Sequence, residues 1–372
     1  MRNDTMGIIL TGDEKIAPLT NIRANSALPI AGRYRIIDFV LSNMANAGIV
    51  NIGIATESNY SSLMDHTKSG KPWDLDRKNY GLQILPPNLE NEKYGVIRGN
   101  IDLLAGIRTF IHKSTQTYVI LSLGNMIYNL DFDKVVQEHI DNQSDITMIY
   151  RDVTGMKEEN LSHYTLLEID ENKRVQDIEV QPYYPKTTNV SLELFVMEKA
   201  LLESIVDECS SRGDVDFVKD AIIKKMGGMR IFGYEYDGHF YKIDSLNSYY
   251  QTSMEFLKAD RREELFNRKR PIYTKTKDQS PTKYGDEAEC INSFISDGCV
   301  IEGTVINSIL SRGVKVEKGA VVRNSVIMQD SVVEEDVEVS HVVFDKEVVI
   351  TKGRKLIGQD SHPLPISKGT LV

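Results

Sequence analysis

The sequence predicts an α/β chain in two parts: a domain on a mostly parallel sheet, then a left-handed parallel β-helix of hexapeptide repeats. Two observations lead there. Over the first ~250 residues strand-like and helix-like segments alternate, the arrangement that puts helices between parallel strands. From Ile295 onward an apolar residue returns every five or six positions, a spacing that neither a helix nor an alternating strand produces. A charged stretch with two prolines separates the parts. The expected limits are 1–257, 258–290 and 291–372.

The elements follow in order. Gly7–Leu10, Asn51–Thr56, Thr117–Ser122 and Asp145–Tyr150 read as buried strands. In "YRIIDFVLSNMANAG" Ile36, Phe39, Val40 and Met44 recur at helical spacing, and Gly48 is the stop. "NIDLLAGIRTFIHK" repeats that design with Ile101, Leu104, Ile107 and Ile111. Tyr164 to Tyr241 is richer in strands and contains the helix "DFVKDAIIKKM", which Asp216 is placed to cap. Lys258 to Lys283 reads as a helix end running into an extended linker. In the repeats the expected inward residues are Ile295, Val300, Val305, Ile309, Val314, Ala320, Val326, Val332, Val337, Val342 and Val348. Gly298, Gly303, Gly313, Gly319, Asp330 and Asp336 mark the turns.

Composition narrows the function. A formal net charge of −10 over 372 residues argues against a general nucleic-acid binder, which needs a basic face to displace counterions. No run is long and apolar enough to span a bilayer. Polar Arg2, Asn3 and Asp4 lead directly into the first strand with no secretory apolar stretch, so a cytoplasmic location is expected. Cys209, Cys290 and Cys299 are scattered and odd in number, which suggests neither a disulfide framework nor a zinc site.

Residues 21–49, "NIRANSALPIAGRYRIIDFVLSNMANAGI", narrow it further. They closely resemble the segment after the first strand of the ADP-glucose pyrophosphorylases (glucose-1-phosphate adenylyltransferases). "RGNIDLL", "SLGNMIYNLDF" and "SYYQTSMEFL" resemble further stretches of that family in the same order, and the resemblance runs over essentially the whole chain. It implies a Rossmann-like nucleotidyltransferase domain ahead of the β-helix. It also implies a place in glycogen or starch synthesis, where family enzymes make ADP-glucose and pyrophosphate from ATP and glucose 1-phosphate. Their reaction brings two anions together. The family meets this with a G-G-x-G-x-R loop, a Mg²⁺ ion on two aspartates and a lysine on the sugar phosphate.

At those positions this chain departs from the family. Setting Pro18-Leu19-Thr20 on the family's P-L-T puts Leu10, Thr11 and Asp13 where the loop glycines stand and Lys15 where the arginine stands. Asp13 and Glu14 bring carboxylates toward a polyanion, at roughly 1 kcal/mol each in water and about 4 at an effective dielectric near 20. The first metal aspartate is Asn125 and the second falls on Lys242, with Asp244 two residues on. In the sugar-phosphate pocket Val180 and Gln181 replace Glu and Lys, and Glu193 replaces a glycine beside the retained Ser191. Asn25 stands for a lysine, Ile97 for a tyrosine and Asn100 for a threonine.

The resemblance therefore points to the non-catalytic regulatory subunits known in some bacteria. Such a subunit has no catalytic residues of its own and no Mg²⁺. It is expected to pair with itself and to form a hetero-tetramer with a catalytic homologue. Arg23, Arg33, Arg35, Gly99, Asn100 and Ser191 remain as vestigial ligand-binding candidates, and the three arginines suit an anionic metabolite. Asp38 and Asn43 are read as structural. One alternative is a weakly active adenylyltransferase with its metal site rebuilt on Asp244 and Asp102. Another is a hexapeptide acyltransferase relying on His341.

Overall fold

The computed structural model describes residues 4–11, 15–57, 59–86, 97–156 and 161–372. The chain divides into two compact units that do not follow chain order. One gathers Met1–Gly12, Val40–Tyr60 and Thr67–Phe240, the other Asp13–Phe39, Ser61–His66 and Tyr241–Val372. No helix among the described residues is long and apolar enough to cross a membrane.

Among the described residues the first unit is a nine-stranded mixed sheet with helices. Strand β1 (Thr5–Leu10) is buried along its whole length. It pairs in parallel with β2 (Asn51–Ala55) on one side and β4 (Tyr118–Leu123) on the other. Then β3 (Gly81–Leu85) pairs in parallel with β2. The remaining strands are β5 (Ile146–Asp152), β6 (Thr165–Ile169), β7 (Val175–Val180), β8 (Asn189–Glu198) and β9 (Ile231–Glu235). Among them β8 is the pivot, antiparallel to both β4 and β5. Residues buried on both sides of a parallel core explain why these strands read as unbroken apolar runs.

Two helices differ from expectation. "NIDLLAGIRTFIHK" forms two helices, Asn100–Gly106 and Arg108–Lys113, because Gly106 weakens the helix where the chain bends. "FVKDAIIKKM" winds as a wide π turn over Phe217–Ile222 and a 3₁₀ turn over Ile223–Gly228. Asp216 caps it as expected, accepting from the Lys219 N–H at 2.8 Å.

The second unit is built on a left-handed parallel β-helix of three five-stranded sheets. Its ladders begin at Lys283–Tyr284, ahead of the first residue that the valine spacing exposes. The register also differs from expectation. Ile301, Leu310, Ile327 and Val333 point into the solenoid core, not Val300, Ile309, Val326 and Val332. Each pair is a two-residue strand with both residues aliphatic, so spacing alone does not say which faces inward. Ile309 and Val326 are buried all the same. Ser293, Ser308 and Ser325 stack at one corner, and each hydroxyl accepts the N–H of the next coil. At the neighbouring left-handed corner stand Asn307, Asn324 and His341. His341 takes its place there, its Nε2 3.3 Å from the Asn324 amide and its Nδ1 2.9 Å from Ser340 Oγ. That corner position is a structural use for the histidine that an acyltransferase reading would have needed.

Residues 15–39 belong to this unit. A short ribbon pairs Pro29–Ile30 with Tyr34–Arg35. Its turn needs Gly32, which has φ +73° and lies so close to the solenoid that a Cβ would meet Ser296 Oγ at 2.3 Å. The Tyr249 hydroxyl donates to Pro29 O at 2.6 Å. Tyr34, Phe39, Phe256 and Phe266 form an aromatic cluster with ring centroids 4.9–6.2 Å apart.

Candidate functional site

The residues at the family's catalytic positions can be read one at a time. Thr11 is buried, and both its N–H and its hydroxyl point at Ala55 O, at 3.0 and 3.2 Å. It holds strand to strand and offers nothing to a phosphate. Asp13, with Gly12 and Glu14, lies outside the described residues. Lys15 is exposed. Asn125 is wholly buried, and among the described residues neither its Oδ1 nor its Nδ2 has a hydrogen-bond partner. Such an amide costs about 1–3 kcal/mol of desolvation.

The sugar-side residues are similarly committed. Ser191 Oγ accepts the Glu193 N–H at 3.1 Å, where β8 bulges against β5. Glu193 has φ +52° and Gln181 φ +51°; both positions favour glycine or asparagine over longer side chains. A Cβ on Gly99 would meet Val215 O at 2.5 Å, and the Asn100 amide oxygen accepts the Phe217 N–H at 2.7 Å. These two residues fasten one loop to another.

The two carboxylates of a rebuilt metal site are also engaged. Asp102 accepts from Arg98 Nε and Nη2 at 2.8 Å each. Burial pushes its carboxyl up, but the Arg98 contacts prevail and hold it below the ordinary range. Asp244 accepts from the Ser248 hydroxyl at 3.0 Å, beside the box that caps helix Leu246–Glu255. Lys242 is half-buried on the short strand Tyr241–Lys242. Among the described residues no group of three or more His, Cys, Asp or Glu side chains is placed to hold a metal ion. A neutral, unpaired amide and an ammonium do not fit the divalent ion that the family resemblance implies.

In the second unit charge has accumulated. A recess is lined by Arg33, Arg35, Lys275, Lys277 and Arg312, with Tyr34, Asp65, His66, Pro29 and Gln329. Arg35 Nη1 donates to Ser62 O at 2.6 Å and to Ser62 Oγ at 2.8 Å. Burial lowers its pKa to about 10, Asp38 and Asp65 opposing and Arg23 assisting. Arg312 is 3% exposed, and among the described residues its Nε and Nη2 have no hydrogen-bond partner. Burial, then Arg33, pushes its guanidinium down. A buried guanidinium with free donors is a costly arrangement that an incoming anion would relieve. Lys346, close to the same cations, is brought down to about 8 by burial, Arg35, Arg23 and Lys277, against Asp345. Beneath the recess His66 Nε2 meets Asp38 Oδ1 at 2.5 Å, and Asp38 Oδ2 accepts the Arg35 N–H at 2.9 Å.

The structure thus brings together Arg33 and Arg35 but commits Arg23 elsewhere. Arg23 Nη1 donates to Asp345 Oδ1 at 2.8 Å, both side chains nearly fully buried. Sequence reasoning did not find Lys275, Lys277, Arg312 or Lys346. Two of these lie in a stretch that reads as a plain charged linker. The signal within it was the alternation in "YTKTK", which puts both lysines on one side of an extended chain.

The nucleotidyl transferase family model matches residues 6–258, and a GlmU-like C-terminal hexapeptide model matches residues 278–363. The chain is 36% identical to the glycogen biosynthesis protein GlgD of Bacillus subtilis (strain 168), over 99% of this chain and 96% of that protein. With a nucleotidyltransferase sheet, a hexapeptide solenoid and end-to-end similarity to that protein, the chain belongs to the ADP-glucose pyrophosphorylase family, in its GlgD-type branch.

Proposed function

We propose that this GlgD homologue is a non-catalytic regulatory subunit of glucose-1-phosphate adenylyltransferase in glycogen biosynthesis. It assembles with a catalytic homologue and tunes it through an anionic metabolite held in the recess of the second unit. The observation that carries this reading is Asn125: where the family places a metal aspartate, this chain buries an amide with no partner among the described residues. A divalent ion cannot neutralise charge on it, and without that ion the triphosphate of ATP is not assembled for attack. The alternative, a weakly active enzyme rebuilt on Asp102 and Asp244, is disfavoured because Arg98 and Ser248 already occupy those carboxylates.

The test is pyrophosphate release from ATP, Mg²⁺ and glucose 1-phosphate. The lone chain is expected to give none, and neither is Asn125→Asp alone. Added to the catalytic homologue, the chain is expected to form mixed oligomers and to change that enzyme's rate or its response to phosphorylated metabolites. Substantial turnover by the lone chain would overturn the reading.

A further inference from the structure

The recess holds one carboxylate among its five cations, and that carboxylate is already bound. Lys275 Nζ donates to Asp65 Oδ2 at 3.0 Å and to Asp65 O at 2.7 Å. The lysine side chain is 17% exposed and the aspartate 66%. The recess in this state has a volume of about 20 Å³, room for one water molecule and not for a phosphate group. Arg33 and Lys277 are exposed, and among the described residues neither has an ion-pair partner. The electrostatic influence of Asp65 also reaches Arg35.

We propose that Asp65 is an internal counter-ion of the anion site, latching Lys275 and competing with an external phosphate for it. This deepens the reading of the recess as an anion site and rests on it. An ion pair with one exposed partner is weak, at about 1 kcal/mol, so the latch sets a threshold and does not seal the site. A phosphate that enters takes Lys275 from the carboxylate while the second anchor, the Asp65 carbonyl, keeps the ammonium at the rim. The buried Arg312 donors then supply what the lysine alone does not. Removing the carboxylate leaves the five cations and the carbonyl anchor in place, so affinity rises. Lengthening it to glutamate keeps the competitor.

The experiment is calorimetric titration of the full chain with inorganic phosphate at low ionic strength. Asp65→Asn is expected to bind about five-fold tighter than the parent, which is about 1 kcal/mol at 1.4 kcal/mol per decade. Asp65→Glu is expected to stay near the parent value. The advantage of Asp65→Asn should shrink as salt rises to about 0.15 M, where screening reaches about 8 Å. Arg312→Gln and, on the exposed rim, Lys277→Gln are expected to weaken phosphate binding. If these two bind less while Asp65→Asn is no tighter than the parent, the latch is wrong and the anion site stands. If phosphate fails to bind the parent and Asp65→Asn alike, or binds Lys277→Gln and Arg312→Gln unchanged, the anion site falls and the latch with it. Melting curves of each variant separate loss of binding from loss of fold.

Discussion

The old catalytic positions of the first unit and the cation recess of the second have aged in opposite ways. In the first, side chains that would face a ligand are turned to other uses or left neutral: Thr11 on Ala55, Ser191 on Glu193, Asn125 on nothing. In the second, a chain with a net charge of −10 keeps five cationic side chains around one recess and leaves a buried guanidinium with free donors. Charge of one sign in a confined place costs stability unless something offsets it. Its retention, beside neutral or engaged side chains at the family's catalytic positions, is the contrast on which the proposed division between ligand binding and catalysis rests.

The largest expected effect tests where structure ends and ligand binding begins. Arg23 is one of three arginines near the old loop, but it is buried on Asp345. Arg23→Met leaves that carboxylate buried without its guanidinium, with only the Lys346 N–H still on Oδ1 at 2.7 Å, and the expected cost is about 3 kcal/mol in denaturant unfolding. Its effect on phosphate affinity, in whatever fraction stays folded, should be small. A variant that unfolds like the parent and binds phosphate poorly would move Arg23 into the recess and blur the division drawn above.

Much of this was legible in the residues. The alternation of elements and the hexapeptide period settle both halves of the fold, because each period has one physical solution. The losses at Asn125 and Lys242 are visible as a change of charge at fixed positions. What was not legible depends on pairing across long stretches of chain. Arg23 and Arg35 look alike in "NIRANSALPIAGRYR", and only the solenoid residue Asp345, far along the sequence, tells them apart. The inward register of "VI" and "VV" strands is ambiguous because both residues are aliphatic. Arg312 sits in a solenoid turn with nothing local to mark it.

A middle-sized effect probes Asn125. A buried amide without partners costs about 1–3 kcal/mol, so Asn125→Leu, which keeps the branched shape and removes the polar atoms, is expected to raise the unfolding free energy by about 1 kcal/mol where the larger methyls are accommodated. If Asn125→Leu instead destabilises by a similar amount, the amide is hydrogen-bonded in solution. The first site would then retain a polar occupant, and the contrast between the two regions would weaken.

The smallest effect sharpens the comparison on the sugar side. Glu193 sits at a strand bulge in the left-handed region, φ +52°. A side chain pays roughly 1–2 kcal/mol to stay there. Glycine relieves that strain but frees the unfolded chain, which takes back about 0.4–1 kcal/mol. Glu193 also accepts a long contact from the Thr165 hydroxyl at 3.5 Å, too long to weigh heavily. Relief of the backbone strain in Glu193→Gly should therefore contribute about 0.5 kcal/mol in denaturant unfolding, before the contacts of the lost carboxylate are set against it. The variant should leave pyrophosphate release at zero, since Asn125 is unchanged. Titration with glucose 1-phosphate separates two accounts of the first site. Binding that appears only in Glu193→Gly means one side chain closes a sugar pocket that is otherwise intact. No binding in either protein means that Val180 and Gln181, where the family keeps its glutamate and lysine, have removed the charge such a ligand needs, and opening the pocket does not restore it.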